Sequence, residues 1–467
     1  MKKRNYLATL LLLAMACAVS SMASAQAPAT PPAAPEAKPA AGPASSEGNS
    51  SVILLKEGHS EGVRAKAAHS LGEQGDLSTV PALDAALSDP SDKVRREVVL
   101  ALGQFHQSQV LPSLTKATKD LDTDVRVLAI QVLVAYYTGN MPSTGVTGFV
   151  KKNAKHFRSH FEPDYSKIDP GVMVDPTVIA ALVATMKDGR AVPASREAAK
   201  GLGILAAGSA VPDLISAAHS SDTDLAREAL NSLVKIKDRS AGPKLVDLLD
   251  SPNPDVKRDA CITVGVLRAN EALPKMQSLF QSSADPKDKA AALAGLAYLG
   301  DKSSVPIFTQ ALGDLHKEVR EAAAEGLARA ADPQSEGELE KAINAEKDSE
   351  VRLAMDFALV ALGKQEYLKP MVDELGGSRR GDVARAYLTE LGRDPAFLPK
   401  LYPYLQSPDA NVRKRLCTVL MYCGDQGSLE ALDRLAHDPD NGVTAEALRA
   451  KRAIRSRLGV QEPAAKP

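Results

Sequence analysis

The sequence predicts an all-α protein built as a stack of repeated two-helix units. Three observations carry this. A Val-Arg-like pair followed eight residues later by Leu recurs along most of the chain, the apolar residues within each copy fall at helical spacing, and Gly and Pro punctuate each copy at fixed offsets.

The clear copies start at Val63, Val94, Val125, Val256, Val319, Val351 and Val412, and weaker ones at Ala194, Leu225, Asp288, Val383 and Val443. Successive starts lie 29 to 32 residues apart except across one gap of 69. A register kept over twelve copies is not coincidence. Positions i, i+4 and i+8, as in Val319, Ala323 and Leu327, share one helical face. Position i+4 is mostly small, which lets a second helix approach closely. Position i+8 is Leu or Val until the twelfth copy, where it is Lys451, as expected of a last unit with no neighbour to cover it. Gly72, Gly103, Gly203 and Gly265 follow the first helix and are expected at its left-handed end. Pro81, Pro112, Pro212 and Pro274 come nine residues later and suit the first turn of a second helix. Asp-rich turns such as Asp89-Pro90-Ser91-Asp92 supply carboxylates able to cap the next helix, worth roughly 1 kcal/mol each.

These elements, Asp-x-x-Val-Arg and Ala-Leu-Gly followed by Val-x-Pro-x-Leu, resemble the HEAT-repeat family in its short, phycobilisome-lyase-type form, over roughly residues 51–459. The resemblance implies an α-solenoid of about twelve hairpins with a convex and a concave face, generally used to bind other proteins. It also implies a structural ladder in which Arg64, Arg95, Arg126, Arg320, Arg352 and Arg413 pair with Asp in neighbouring turns. Ser195, Ala226, Ala384 and Thr444 depart from that pattern, and Arg196, Arg227 and Arg385 stand one position later.

The remainder of the chain divides simply. Residues 1–25 read as a secretory signal, with Lys2, Lys3 and Arg4 before the apolar run Leu7–Val19 and Ala23-Ser24-Ala25 as a cleavage site. That run is too short to span a membrane, and no later stretch is long enough. Periplasmic or extracellular residence is therefore expected, with lipidation of Cys17 as the lesser alternative. Residues 26–50, with six Pro and eight Ala, read as a disordered tether, and 460–467 as a tail. With 57 Lys plus Arg against 58 Asp plus Glu, and a mature net charge of about −4, the composition gives no sign of a nucleic-acid partner.

The 69-residue gap exceeds the period by 38 residues, placed at about 138–175. Closing such a loop costs about 3 kcal/mol. Residues 136–165 hold six of the eighteen aromatics, and disorder is usually aromatic-poor. From Phe149 to Phe161 the pattern is a basic amphipathic helix. Its aromatic side either pins the segment to the repeats or, with its cations, docks an acidic partner or an anionic surface. The candidate partner-binding residues are Phe149, Lys151, Lys152, Lys155, Phe157, Arg158, Phe161 and Tyr165.

Catalysis has no visible constellation. His156 and His160 share a helical face with Glu162 and Asp164 nearby, but Phe157 stands where a zinc protease carries Glu, so no metal or other cofactor is expected. Cys261 and Cys417 sit at apolar repeat positions and read as buried hydrophobes. Arg380-Gly381-Asp382 lies in an ordinary turn. The expectation is a non-enzymatic, exported scaffold binding a protein partner through the concave face and the insertion. A chromophore lyase or accessory subunit is the alternative, and envelope attachment through the insertion or Cys17 a third reading.

Overall fold

The computed structural model describes residues 46–139, 168, 172–378 and 380–460, and no strand occurs among them. Twelve long helices set the frame: α2 (Glu61–Gln74), α4 (Asp92–Gly103), α6 (Thr123–Thr138), α8 (Val192–Ile204), α10 (Thr223–Ile236), α11 (Pro254–Val266), α13 (Pro286–Leu299), α15 (Lys317–Ala330), α17 (Ser349–Ala361), α19 (Gly381–Leu391), α20 (Ala410–Cys423) and α22 (Asn441–Leu458). Every anchor of the repeat is the third residue of one of these. The register seen in sequence is thus the register of the fold, an all-α solenoid.

Why the helices start where they do is visible in their caps. Asp122, Asp222, Asn253, Asp285, Asp348, Asp409 and Asp440 each accept a hydrogen bond from a first-turn backbone N–H. After each long helix the chain turns, in most repeats through a short 3-10 segment, into a second, mostly shorter helix: α3 (Val80–Ala86), α5 (Leu111–Ala117), α7 (Pro176–Asp188), α9 (Val211–Ala218), α12 (Leu273–Ser282), α14 (Val305–Ala311), α16 (Glu336–Ala345), α18 (Leu368–Glu374) and α21 (Gln426–Asp433). Two repeats use 3-10 stretches instead, at Arg239–Asp250 and around Tyr402–Gln406. Pro81, Pro112, Pro212 and Pro274 occupy the first turns of α3, α5, α9 and α12, where a missing N–H is harmless.

Three features differ from the sequence reading. Gly72, Gly103, Gly203 and Gly265 lie within the long helices, and the left-handed glycines are Gly75, Gly139, Gly189, Gly300, Gly363 and Gly459. The reason is packing. A Cβ on Gly265 would meet the Gly295 carbonyl oxygen at 2.3 Å, and one on Gly72 would meet Ala101 Cα at 2.7 Å, so these glycines let neighbouring long helices touch along their backbones. Second, Ser46–Ser50, read as tether, form the start of a helix α1 (Ser46–Glu57) whose Leu55 is buried in the core. Third, Lys451 is not simply exposed. Its side chain is 12% exposed and its ammonium pairs with Asp433, so the last helix turns its cation back onto its own hairpin.

The long helices pack side by side in one row, whereas most short ones pack chiefly on the long helix that follows them in the chain, so the packed hairpin is a short helix with its following long one. The row that comes closer lies on the inside of the stack. The 69-residue gap falls between two packed hairpins: α6, packed on α5, ends at Thr138, and α7, starting at Pro176, packs on α8. The Asp175 N–H donates to the Tyr137 hydroxyl at 3.0 Å, and the Ile168 N–H to the Ile204 carbonyl at 3.0 Å, so the described flank of the insertion runs beside the C-terminal ends of α6 and α8.

Candidate protein-binding surface

At 100° per residue, the side chain six positions past each anchor points away from the hairpin partner, out of the inner row. Read from α2 to α22, these residues are His69, Leu100, Gln131, Lys200 and Asn231, then Ile262, Ala294, Glu325, Phe357, Thr389 and Thr418, then Arg449. The first five are half-buried. The next six are 1%, 3%, 2%, 2%, 3% and 8% exposed. The inner face is therefore open over α2–α10 and closed over α11–α20, where the sequence reading expects one continuous concave surface.

Small residues close it. α13 carries Ala290, Ala291, Ala292, Ala294 and Ala297, all buried, and its Gly295 meets α11 at Gly265. Further along the row, side chains reach past the neighbour to the next helix but one. Arg329 of α15 makes a two-point pair with Glu390 of α19, both bonds 2.9 Å, and Tyr387 of α19 donates to Glu325 of α15 at 2.5 Å. Phe357 of α17 stacks flat on Tyr387 with centroids 4.4 Å apart, and the Arg329 guanidinium lies 4.2 Å from the centroid of Tyr298 on α13. Burial raises the Glu325 carboxyl above its ordinary value against the pull of Arg329. Burial likewise raises the Tyr387 hydroxyl, and the Glu325 charge adds to it. Arg329 stays charged against burial because Glu390, Tyr298 and Glu325 surround it. A buried ionic cluster this well satisfied fixes geometry more than it adds stability.

The open half has a different chemistry. His69 lies 2.7 Å from Glu97 of the next helix, Arg96 3.2 Å from Asp124, and Arg196 2.7 Å from both Asp222 and Asp224. Its charges are largely matched internally. Between them lie half-buried Leu100, Leu128, Gln131, Val134 and Asn231.

The arginines run along the turns. Arg64 forks onto Asp89 (2.6 and 2.9 Å), Arg95 onto Asp120 (2.8 and 2.9 Å), Arg320 onto Glu346 (2.6 and 3.0 Å) and Arg413 onto Asp438 (2.8 and 2.8 Å). Each turn is held twice, because the Asp89 carbonyl also accepts from Arg95 and the Glu346 carbonyl from Arg352. Arg126 reaches across the insertion to Asp188 at 3.0 Å. Arg352 departs from the expected ladder. Its guanidinium bonds the Ile343 and Glu346 carbonyls, and Gly377 stands where the matching acid would be. The shifted arginines divide: Arg196 takes Asp222 in the next turn, Arg227 takes Asp259 on the next helix at 2.7 Å, and Arg385 pairs with Asp382 on its own helix at 3.2 Å.

The remaining candidates are quickly placed. Phe149, Lys151, Lys152, Lys155, Phe157, Arg158, Phe161 and Tyr165, with His156 and His160, lie outside the described residues, as do the signal segment and Cys17. Cys261, Cys417 and Cys423 are free thiols, each pushed up to about 12 by burial. Arg380 forks onto Glu374, and Gly381 is buried under Arg415, so the Arg-Gly-Asp turn is structural. Among the described residues no group of three or more His, Cys, Asp or Glu is arranged to hold a metal, and no helix is long and apolar enough to cross a membrane. The six-past-anchor residues carry no sequence signal of the change, since Leu100 is apolar in the open half and Glu325, Thr389 and Thr418 are polar in the closed one.

Crystal structures of Kap121p, alone and bound to the extreme C-terminus of the protein phosphatase Cdc14p, match over 88% of this chain at 15% identity and a TM-score of 0.41. The chain spans about half the length of Kap121p, 49% and 50% in the two structures. The CpcE–CpcF complex of phycocyanin lyase from Nostoc sp. PCC7120 matches over 56% of this chain and 93% of its own, at 18% identity and a TM-score of 0.35. No curated protein matches. The HEAT-repeat pattern matches residues 52–134, 179–265, 211–286 and 273–360, more than half of the sequence, and on that match, with every anchor seated in a stacked helix, the chain belongs to the HEAT-repeat family.

Proposed function

We propose that this protein is an exported, non-enzymatic scaffold that holds a protein partner against the inner face of α2–α10, with the insertion as a second point of contact. The opening of that face carries the reading. Five successive long helices present half-buried side chains, while the rest of the row is packed on itself. An extended stack of similar helices offers contact area suited to a macromolecular partner. The insertion supports this because its described flank runs beside the ends of α6 and α8, at the rim of the open face. Export rests on Lys2 to Arg4, the apolar run Leu7–Val19 and Ala23-Ser24-Ala25.

A photo-cross-linking residue at position 100 of the inner row, compared with one at position 116 of the short row, tests the binding surface in cells. Cross-linking to one defined protein from position 100 but not 116, weakened on deleting residues 138–175, is expected. Equal labelling from both positions would count against it. Cell fractionation with N-terminal sequencing tests export: a mature chain starting at Gln26 outside the cytoplasm is expected, and an intact cytoplasmic chain would refute it.

A further inference from the structure

We infer that the groove between α5 and α7, on the short row, is the seat of a stretch of this chain's own insertion, residues 161–165. The inference goes beyond the scaffold reading and does not depend on it. The groove encloses about 470 Å³ and is lined from the first turns of both helices, at Pro112 and Thr177, down to Lys119 and Ala184. Ala180, Ala181 and Ala184 give it a wall of small apolar residues on α7, and Lys116 and Lys119 a basic wall on α5. Other seams of the short row are bridged by an ion pair: Asp84 with Lys116, Lys187 with Asp213, and Asp250 with Lys275. Between α5 and α7 the lysines share the groove with alanines instead. Lys116 already leans on Asp84, while Lys119 is exposed and makes no ion pair among the described residues. This seam lacks an acid and something to fill it. It is also the seam that the insertion spans, since α6 packs on α5 and α7 on α8.

The sequence Phe161-Glu162-Pro163-Asp164-Tyr165 supplies both. Pro163 opposes a helix there, and in extended chain Phe161, Pro163 and Tyr165 share one side while Glu162 and Asp164 share the other. The aromatic side suits the alanine wall, and the long lysine side chains fold over to the acids. Lys151, Lys152, Lys155 and Arg158 would be repelled by those same lysines, so charge selects the acidic stretch and leaves the basic one outside. Length agrees. The Ile168 N–H is held by the Ile204 carbonyl at the end of α8, and the first turn of the adjacent α7 lies one helix spacing away, ~10 Å. The three residues back to Tyr165 cover that distance at ~3.3 Å each. From Tyr165 to Phe161 the extended chain then runs about 13 Å, against about 11 Å from Thr177 to Ala184 along α7.

The test uses the purified full mature chain with a benzophenone side chain at position 180. Irradiation is expected to join position 180 to the peptide carrying residues 161–165 within one chain, as read by mass spectrometry, and the same probe at position 213, in the next seam, is expected not to. Lys119→Glu and Glu162→Lys should each lower the yield about 2–5-fold, and the double variant K119E/E162K should restore it. Phe161→Ala with Tyr165→Ala should cut it at least about fivefold. Equal joining from positions 180 and 213, or a double variant no better than either single one, would overturn the inference. So would cross-linked pairs of chains, which would assign the groove to a second copy, and so would capture of another protein from position 180 in cells, which would assign it to a partner. None of these outcomes bears on position 100, whose cross-link tests the scaffold reading separately.

Discussion

Arg95 and Arg352 hold the same register one position past an anchor, yet only Arg95 finds a carboxylate. Its guanidinium and Asp120 are 12% and 6% exposed, and the fork is two-pointed. Arg95→Ala should lower unfolding stability by roughly 1.5–3 kcal/mol, and Arg352→Ala by clearly less, in urea titrations of the two variants. Equal losses would show that the backbone contacts rather than the carboxylate carry the turn. Acid and base limbs of the stability curve should also separate by residue. Asp222 and Asp438 are held below the usual carboxylate range by their bonds to Arg196 and Arg413. They bind protons less readily folded than unfolded, so their contribution stands above about pH 4 and fades as pH falls further. Asp356 behaves oppositely: burial raises it to about 6 although Arg352 pulls it down. The folded state then favours its proton, and stability declines as pH rises from about 4 to about 6. Asp356→Asn should flatten that decline, and a urea midpoint that still falls over the same window would contradict the assignment.

Glycine has two meanings among the helices. At Gly295 a methyl would strike the Cys261 carbonyl and Met276 Sδ, both at 2.5 Å, whereas at Gly62 it would meet nothing within 4 Å. Gly295→Ala is expected to cost about 1–3 kcal/mol or more, and Gly62→Ala to gain about 0.4–1 kcal/mol, as read by thermal unfolding. Element existence was legible because apolar period, caps and Pro placement agree at most repeats. The role of Gly72, Gly203 and Gly265 was not, because a glycine near a helix end reads the same whether it caps or packs, and only the neighbouring backbone decides. Nor was the cluster of Glu325, Arg329, Tyr387 and Glu390. Its partners lie 61 and 62 residues apart, two periods, and meet across the intervening α17, a contact that no single repeat announces.

At the scale of the molecule, closure of the inner face from α11 to α20 should appear as graded protection. Amide hydrogen exchange is expected to be slowest in α13 and α15, where most residues are buried, faster in α4 and α8, and fastest in α1 and α22, which among the described residues stand at the two ends of the row. Uniform protection along the row would contradict this gradient. Of the candidate surface the sequence made legible only a repeat architecture with a concave face; which half of the row packs on itself depends on how the long helices settle against one another, a property of pairs that no single repeat displays.

The opening of one half and sealing of the other also separate two demands that proteins commonly impose on the same residues. Substituting Leu100, Gln131 or Asn231 changes the half-buried face of the open half while leaving the packed half, with its alanines and its ionic cluster, to secure the fold. The chemistry of that face can therefore be altered at a handful of helix positions without re-engineering the body that carries it.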